Sequence, residues 1–261
     1  HDVLLDEVRR HPNIALRVFK DRFADFSDFT FVIVGNVDEA TLRPLVEQWL
    51  AALPGGGRRE TPVDIGIRPP TGVIKKVVRK GVEPQAQTGI FLTGETEWTR
   101  ARSLHATVLT EVLQIRLRET LREDLGGTYG AGASVSLERW PGGRFQTVVQ
   151  FGSSPERADT LATVALDVVR KLAAEGPTAD ELSKVKENLL RTRETALKQN
   201  GFWQSVLQQS VTWGDDPVEI VTGYTARVEA LTLADITATA KLVLDPTNRA
   251  TFVLLPETGG Q

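Results

Sequence analysis

The sequence contains no cysteine and no methionine, and it has only three histidines and two tyrosines among its 261 residues. Without cysteine there can be no disulfide, no thiolate nucleophile and no cysteine-ligated zinc. The histidines are His1, His11 and His105, and no two share metal-ligand spacing. A catalytic zinc needs about three protein ligands, commonly with two histidines on one helical face as in HxxEH. The chain is therefore expected to bind no metal itself. The missing methionine leads us to expect a piece excised from a longer protein. A surplus of one charge is also lacking: 31 Lys and Arg stand against 34 Asp and Glu, a net charge of -3. That balance supplies no footprint for nucleic acid or for an anionic membrane surface. No apolar run approaches the roughly 20 residues that span a bilayer, and no basic-then-apolar leader opens the chain. What remains is an ordinary folding composition, 41% hydrophobic and 25% charged, with length for one large or two modest domains.

Periodicity predicts a short helix over residues 16–26 and then a buried strand at residues 29–34, an apolar run ending at Gly35. Asp38 is placed to cap a helix whose Leu42, Leu45, Val46, Trp49 and Leu50 share one face. The stretch from Gly55 to Gly72 mixes Gly, Arg and Pro without apolar period and reads as a linker. Strands are expected at residues 73–78 and 88–93, followed after Thr99 by a long helix with two apolar rows, Leu104/Val108/Val112/Ile115 and Leu109/Leu113/Leu117/Leu121. Gly126-Gly127 ends that helix, and residues 129–137 and 145–151 read as a hairpin. Ser154-Pro155 offers an N-cap with proline at the first helical position, and Thr178-Ala-Asp-Glu181 is a capping box for a helix through Leu197. Helices at 202–213, 218–229 and 232–244 and a strand at 251–255 complete an α+β chain. One echo links the ends. A helix leads into Asp25-Phe-Ser-Asp-Phe-Thr-Phe-Val-Ile-Val34, and another leads into Asp245-Pro-Thr-Asn-Arg-Ala-Thr-Phe-Val-Leu-Leu255. Two copies of one domain would produce it, the first truncated. Chance likeness of two helix-to-strand junctions is the alternative.

Few residues point to chemistry. His105 sits on the long helix and is expected to be a partly buried structural residue. No serine lies in a strained GxSxG elbow. The glycines of Gly126-Gly-Thr-Tyr-Gly-Ala-Gly132 run from helix to strand, the reverse of a phosphate loop. Trp98, Trp140, Trp203 and Trp213 are expected to be packing anchors. Arg116, Arg118 and Arg122 form a cluster of the kind that is usually solvated. Yet Arg122 falls in the last turn before the Gly-Gly break, and Tyr129 opens the next strand. A guanidinium and a phenol can converge there at a sheet edge, both as hydrogen-bond donors to a carbonyl or an oxyanion.

Three segments carry a family resemblance: Arg22 to Asp38 with its following helix to Leu53-Pro54, Leu113-Gln-Ile-Arg-Leu-Arg-Glu-Thr-Leu-Arg-Glu-Asp-Leu-Gly-Gly-Thr-Tyr-Gly130, and Glu175-Gly-Pro-Thr-Ala-Asp-Glu-Leu-Ser-Lys-Val-Lys186. Together they resemble the C-terminal portion of bacterial members of the pitrilysin/insulinase family of zinc metallopeptidases. The resemblance implies a two-layer α+β sandwich, a mostly antiparallel sheet with helices on one face. It implies that residues 1–54 are the C-terminal helix-strand-helix remnant of a preceding repeat, 55–72 a linker, and 73–261 a complete non-catalytic domain. It implies an endopeptidase parent in which zinc sits in the N-terminal half missing here, with no cofactor in this chain. An arginine and a tyrosine seven residues apart hold the substrate peptide in that family, and Arg122 and Tyr129 match the spacing. Peptide substrate and the zinc-bearing half, or a partner subunit carrying it, are the implied partners, with neither nucleic acid nor membrane insertion. A periplasmic parent is implied by bacterial relatives. The alternative within the resemblance is a non-catalytic partner subunit or peptide-binding scaffold, which an HxxEH motif upstream would exclude.

Overall fold

A computed structural model describes residues 6, 9–123 and 130–257. The chain divides into two compact units, residues 1–63 with 195–221, and residues 64–194 with 222–261. Among the described residues no helix is long and apolar enough to cross a membrane.

The first unit contains α1 (Ile14–Arg22) and α2 (Glu39–Trp49). The Asp38 carboxylate caps α2 by accepting from the Thr41 amide at 2.8 Å, which satisfies one of the free N–H groups of the first turn. Arg58 ties the turn after α1 together: its guanidinium pairs with Asp28 at 3.2 Å and donates to the Asp21 and Arg22 carbonyls at 3.1 and 3.0 Å. Residues 29–34, expected as a buried strand, are not in a strand. Phe29, Phe31 and Ile33 are exposed, and the rings of Phe19, Phe23, Phe26, Phe29 and Phe31 pack against one another, Phe19 on Phe23 and Phe29 on Phe31 stacked and the others tilted. The reason is elementary: extended backbone becomes a strand only when another strand takes up its N–H and C=O groups. Among the described residues none does so.

The second unit holds a five-stranded sheet of β1 (Val73–Arg79), β2 (Ala86–Glu95), β3 (Ala131–Glu138), β4 (Arg144–Ser153) and β5 (Arg249–Leu255), in the order β1-β5-β2-β4-β3. Only β1 against β5 is parallel; the other pairs are antiparallel. The helices of this unit are α3 (Arg100–Glu123), α4 (Ala158–Glu175), α5 (Ala179–Ala196), whose last two residues belong to the first unit, α8 (Tyr224–Glu229) and α9 (Leu233–Val243). Helices α6 (Asn200–Trp213) and α7 (Pro217–Thr222) run mostly in the first unit. The sheet's inward phase, Ile90, Leu92, Phe145, Val149, Ala133 and Val135, packs with Val108, Leu109, Val112, Leu113, Leu117 and Leu121 of α3 and with the apolar faces of α4 and α9. This is the two-layer α+β sandwich with helices on one face. The capping box forms as expected: Thr178 Oγ1 accepts from the Glu181 amide at 3.2 Å, and Glu181 accepts from the Thr178 amide at 2.7 Å. Ser154 differs from expectation, because it makes no side-chain cap bond and precedes a short 3-10 turn, Pro155–Arg157.

The echo between the chain ends has a structural counterpart. After α1 the Asp25 carboxylate accepts from the Ser27 amide at 2.8 Å, and after α9 the Asp245 carboxylate accepts from the Thr247 amide at 2.9 Å. Both are Asx turns that lead the chain out of a helix into an apolar extended run.

Candidate functional site

The end of α3 and the start of β3 are where sequence reasoning put the site. α3 is fixed against the outer edge of β3 by two side chains: the Val135 amide donates to Thr110 Oγ1 at 2.8 Å, and Gln114 Nε2 donates to the Ala133 carbonyl at 2.8 Å. These bonds satisfy edge-strand groups that would otherwise face solvent. The register runs down the strand as it climbs the helix, so the C-terminal turn of α3 lies toward the head of β3. The backbone of Arg122 belongs to that turn. Its side chain and the whole of Tyr129 lie outside the described residues.

The other members of the arginine cluster do not join them in one site. Arg118 is exposed. Arg116 turns to the opposite neighbour, where its Nε and Nη2 each donate to the Glu181 carboxylate at 2.8 Å and Nη2 also donates to the Gly176 carbonyl at 3.1 Å. The guanidinium, aided by the Thr178 bonds, holds the Glu181 carboxyl at about 2, well below the usual 4.5. Arg116 is thus a brace between α3 and the start of α5.

The sheet face opposite the helices is open, and its register assembles residues from all five strands. One row runs Gly132, Gln150, Gly89, Phe252 and Lys76 across β3, β4, β2, β5 and β1. Beside Gly89 the rings of Phe91 and Phe252 meet edge to face, 5.8 Å apart at 72°. With Gln87, Gln150 and Leu254 they line a shallow depression of about 360 Å³ that no charged side chain enters. A Cβ at Gly89 would stand 3.0 Å from the Phe91 ring, so the glycine lets that ring lie close over the strand. A second cavity, about 210 Å³, lies at the far end of the same face, lined by Arg68, Glu95, Glu138 and Arg144 among others. Its charges are largely internal: Arg68 pairs with Asp64, and Arg144 lies 3.6 Å from Glu138. Asp64 is held below the usual carboxylate range, chiefly by its hydrogen bond from Arg68.

His105 is structural, as expected. Its Nδ1 stands 2.8 Å from Thr239 Oγ1, a hydroxyl that itself donates to the Asp235 carbonyl at 3.1 Å, so Nδ1–H is the donor. Burial pushes the imidazole below its usual pKa. Among the described residues no three His, Cys, Asp or Glu side chains are grouped so as to hold a metal ion, and the donors present do not fit zinc. The tryptophans correct an expectation. Trp140, Trp203 and Trp213 are each about 40% exposed rather than buried anchors. Trp98 lies under the Arg139 guanidinium, 3.3 Å from its ring centre, and Trp203 Nε1 donates to the Leu197 carbonyl at 3.0 Å. Sequence reading missed the open-face row. Its one signal was phase: Phe91 falls on the outward positions of β2, where alternation calls for polar residues.

The sequence profile of the family described as peptidase M16 inactive domain matches residues 15–189. The zinc protease PQQL-like of Arabidopsis thaliana is 28% identical over 271 residues, covering 98% of this chain and 27% of that protein. Among solved structures, the ferredoxin protease FusC in complex with Arabidopsis ferredoxin aligns with a TM-score of 0.70 at 23% identity, over 85% of this chain and 24% of that one. The periplasmic protease PqqL from Escherichia coli aligns at 0.69 and 23%, over 85% of this chain and 25% of that one. At such identities the structures share the fold. The chain spans about a quarter of the length of these relatives.

Proposed function

Since the chain belongs to the peptidase M16 inactive-domain family, we propose that it is the C-terminal, substrate-binding and chamber-forming part of a zinc-dependent endopeptidase. Alone it is inactive, and it works beside a zinc-bearing N-terminal half. The observation that carries this reading is the sheet itself: one face is sealed by α3, α4 and α9, and the other is open, with an uncharged depression at Phe91 and Phe252. A wall of that kind suits a chamber that holds polypeptide, and the structurally similar FusC is a ferredoxin protease. This reading puts the parent in the periplasm, the compartment of the structurally similar Escherichia coli protease PqqL. Residues 1–54 are the end of a preceding repeat, 55–72 the linker and 73–261 the complete domain. The matching Asx turns at Asp25 and Asp245, and the unpaired apolar run at residues 29–34, support that division.

Within the site, Arg122 and Tyr129 bind and orient substrate. The stagger from Thr110 with Val135 to Gln114 with Ala133 advances toward the helix end that carries Arg122 and the strand end that follows Tyr129. Neither group activates water at neutral pH, because arginine stays protonated and an ordinary tyrosine titrates at about 10. Both can donate hydrogen bonds to a substrate backbone. Removal of one such donor costs roughly 10²–10³ in rate where it faces developing charge. In the full-length parent, Tyr129→Phe is expected to lower turnover by that order with zinc content and folding unchanged. Wild-type turnover and KM in a folded, zinc-replete Tyr129→Phe enzyme would remove the pair from the site.

A further inference from the structure

We propose that the depression at Phe91, Gly89 and Phe252 is a side-chain subsite, which takes one aromatic or large aliphatic side chain of an extended peptide lying across the open face. The inference rests on the peptidase reading above and specifies which substrate residues that wall selects. Its first support is the floor. Gly89 lies at its centre, and the missing side chain there leaves room for the Phe91 ring, which leans over it. Around Gly89 stand Phe91 and Gln87 along β2, Gln150 on β4, and Phe252 and Leu254 on β5. The Gln87 side chain lies over Gly152.

On the β5 side of the depression Phe252 and Leu254 are about 40% exposed, which is unusual for two large apolar residues on one face of a strand flanked by paired neighbours on both sides.

The lining chooses the occupant. No charged side chain enters the depression, so an ionic group would be desolvated without a partner. Two rings in edge-to-face contact give the depression apolar ring surface, complementary to a third ring or to a branched aliphatic group. The exposed amides of Gln87 and Gln150 stand at the rim, able to donate to and accept from a peptide backbone. A second copy of the chain is a poor fit by size. A stable protein interface buries about 800 Å² per partner, whereas Gln87, Gln150 and Lys76 bound the apolar patch within one residue of its centre.

The test uses the whole chain and the photoreactive peptide Ac-Gly-Gly-Bpa-Gly-Gly-NH2, where Bpa is p-benzoylphenylalanine, with adducts mapped by mass spectrometry. Saturable labelling at Phe91, Gln150, Phe252 or Leu254 is expected, competed by the Phe peptide Ac-Gly-Gly-Phe-Gly-Gly-NH2 and not by its Ala or Glu counterparts. Phe252→Gln is expected to weaken labelling about tenfold, the effect of losing most of one apolar side-chain contact. Leu254→Gln, on the adjoining wall, provides a second variant, and circular dichroism reports that each is folded. Scattered labelling, equal competition by the Ala peptide, or undiminished labelling in both folded variants overturns the subsite. Self-association in sedimentation that Phe252→Gln abolishes would give the face to a second copy and overturns it as well. The peptidase reading is judged separately by Tyr129→Phe turnover in the parent. A reduced turnover there with failed labelling here removes the subsite alone.

Discussion

Replacing Glu181 by Gln separates the two jobs this carboxylate performs. Gln retains an oxygen for the Thr178 amide, so the capping box survives. The bidentate pair with Arg116 does not, and a guanidinium whose side chain is only 16% exposed keeps its bond to the Gly176 carbonyl but loses its counter-charge. A carboxyl held at about 2 against an ordinary 4.5 has its charged form favoured by about 3 kcal/mol in the folded state. Both side chains retain some solvent contact, at 16% and 19%, so we expect a loss of about 2 kcal/mol at pH 7. The sign in pH follows from the depressed value. The Glu181 contribution is fully present above pH 4.5 and is lost as pH falls from 4.5 toward about 2. Hydrogen exchange of the α5 amides, read by mass spectrometry from pH 7 to pH 3, reports the opening of this corner directly. The variant is expected to exchange faster at pH 7, and the gap to the wild type to narrow by more than half as pH falls to 3. Equal protection at pH 7, or a gap that stays constant down to pH 3, would refute the claim that the Arg116 pair stabilises the junction of α3 and α5.

Thr88 is 2% exposed and its Oγ1 has no hydrogen-bond partner among the described residues. Thr88→Val keeps the shape and removes an unsatisfied hydroxyl, so it is expected to be neutral or to stabilise by up to about 1 kcal/mol in urea unfolding; a loss of similar size would show that the hydroxyl has a partner. Burial lowers the His105 pKa, so the unfolded chain takes up a proton there before the folded one does. Stability is therefore expected to fall as pH drops below about 6.5, and His105→Gln, which keeps a donor for Thr239, is expected to flatten the wild-type profile between pH 7 and 5, as read from Tm.

The elements that sequence located correctly carry their own signals. α3 shows two apolar rows, and both its rows reach the core through Val108, Val112, Leu109, Leu113, Leu117 and Leu121. The Thr178 box announces its reciprocal bonds through residue type and spacing alone. Where the reading failed, the missing information was a partner. Residues 29–34 have strand composition but no ladder among the described residues. Residues expected as one helix from 218 to 229 are two, Pro217–Thr222 and Tyr224–Glu229, separated at Gly223. Glycine gives up the most backbone freedom in a helix interior, and the local pattern had hidden that cost beneath continuous apolar spacing.

The candidate site divides along the same line. Arg116, Arg118 and Arg122 look equivalent in the sequence, but Arg116 is committed to Glu181, because a brace requires an acid that arrives from a distant helix. The open face is less legible still. Gly89, Gly132, Gln150 and Phe252 acquire meaning only when three registers bring them into one row, and a slip of one residue in any strand would turn that strand's contribution into the core. Outward Phe91 and Phe252 violate the polar-out rule for a half-covered sheet. Phe91 is half-buried against Phe252, which remains about 40% exposed; folding stability gives no reason for that exposed apolar surface, whereas the proposed side-chain subsite does.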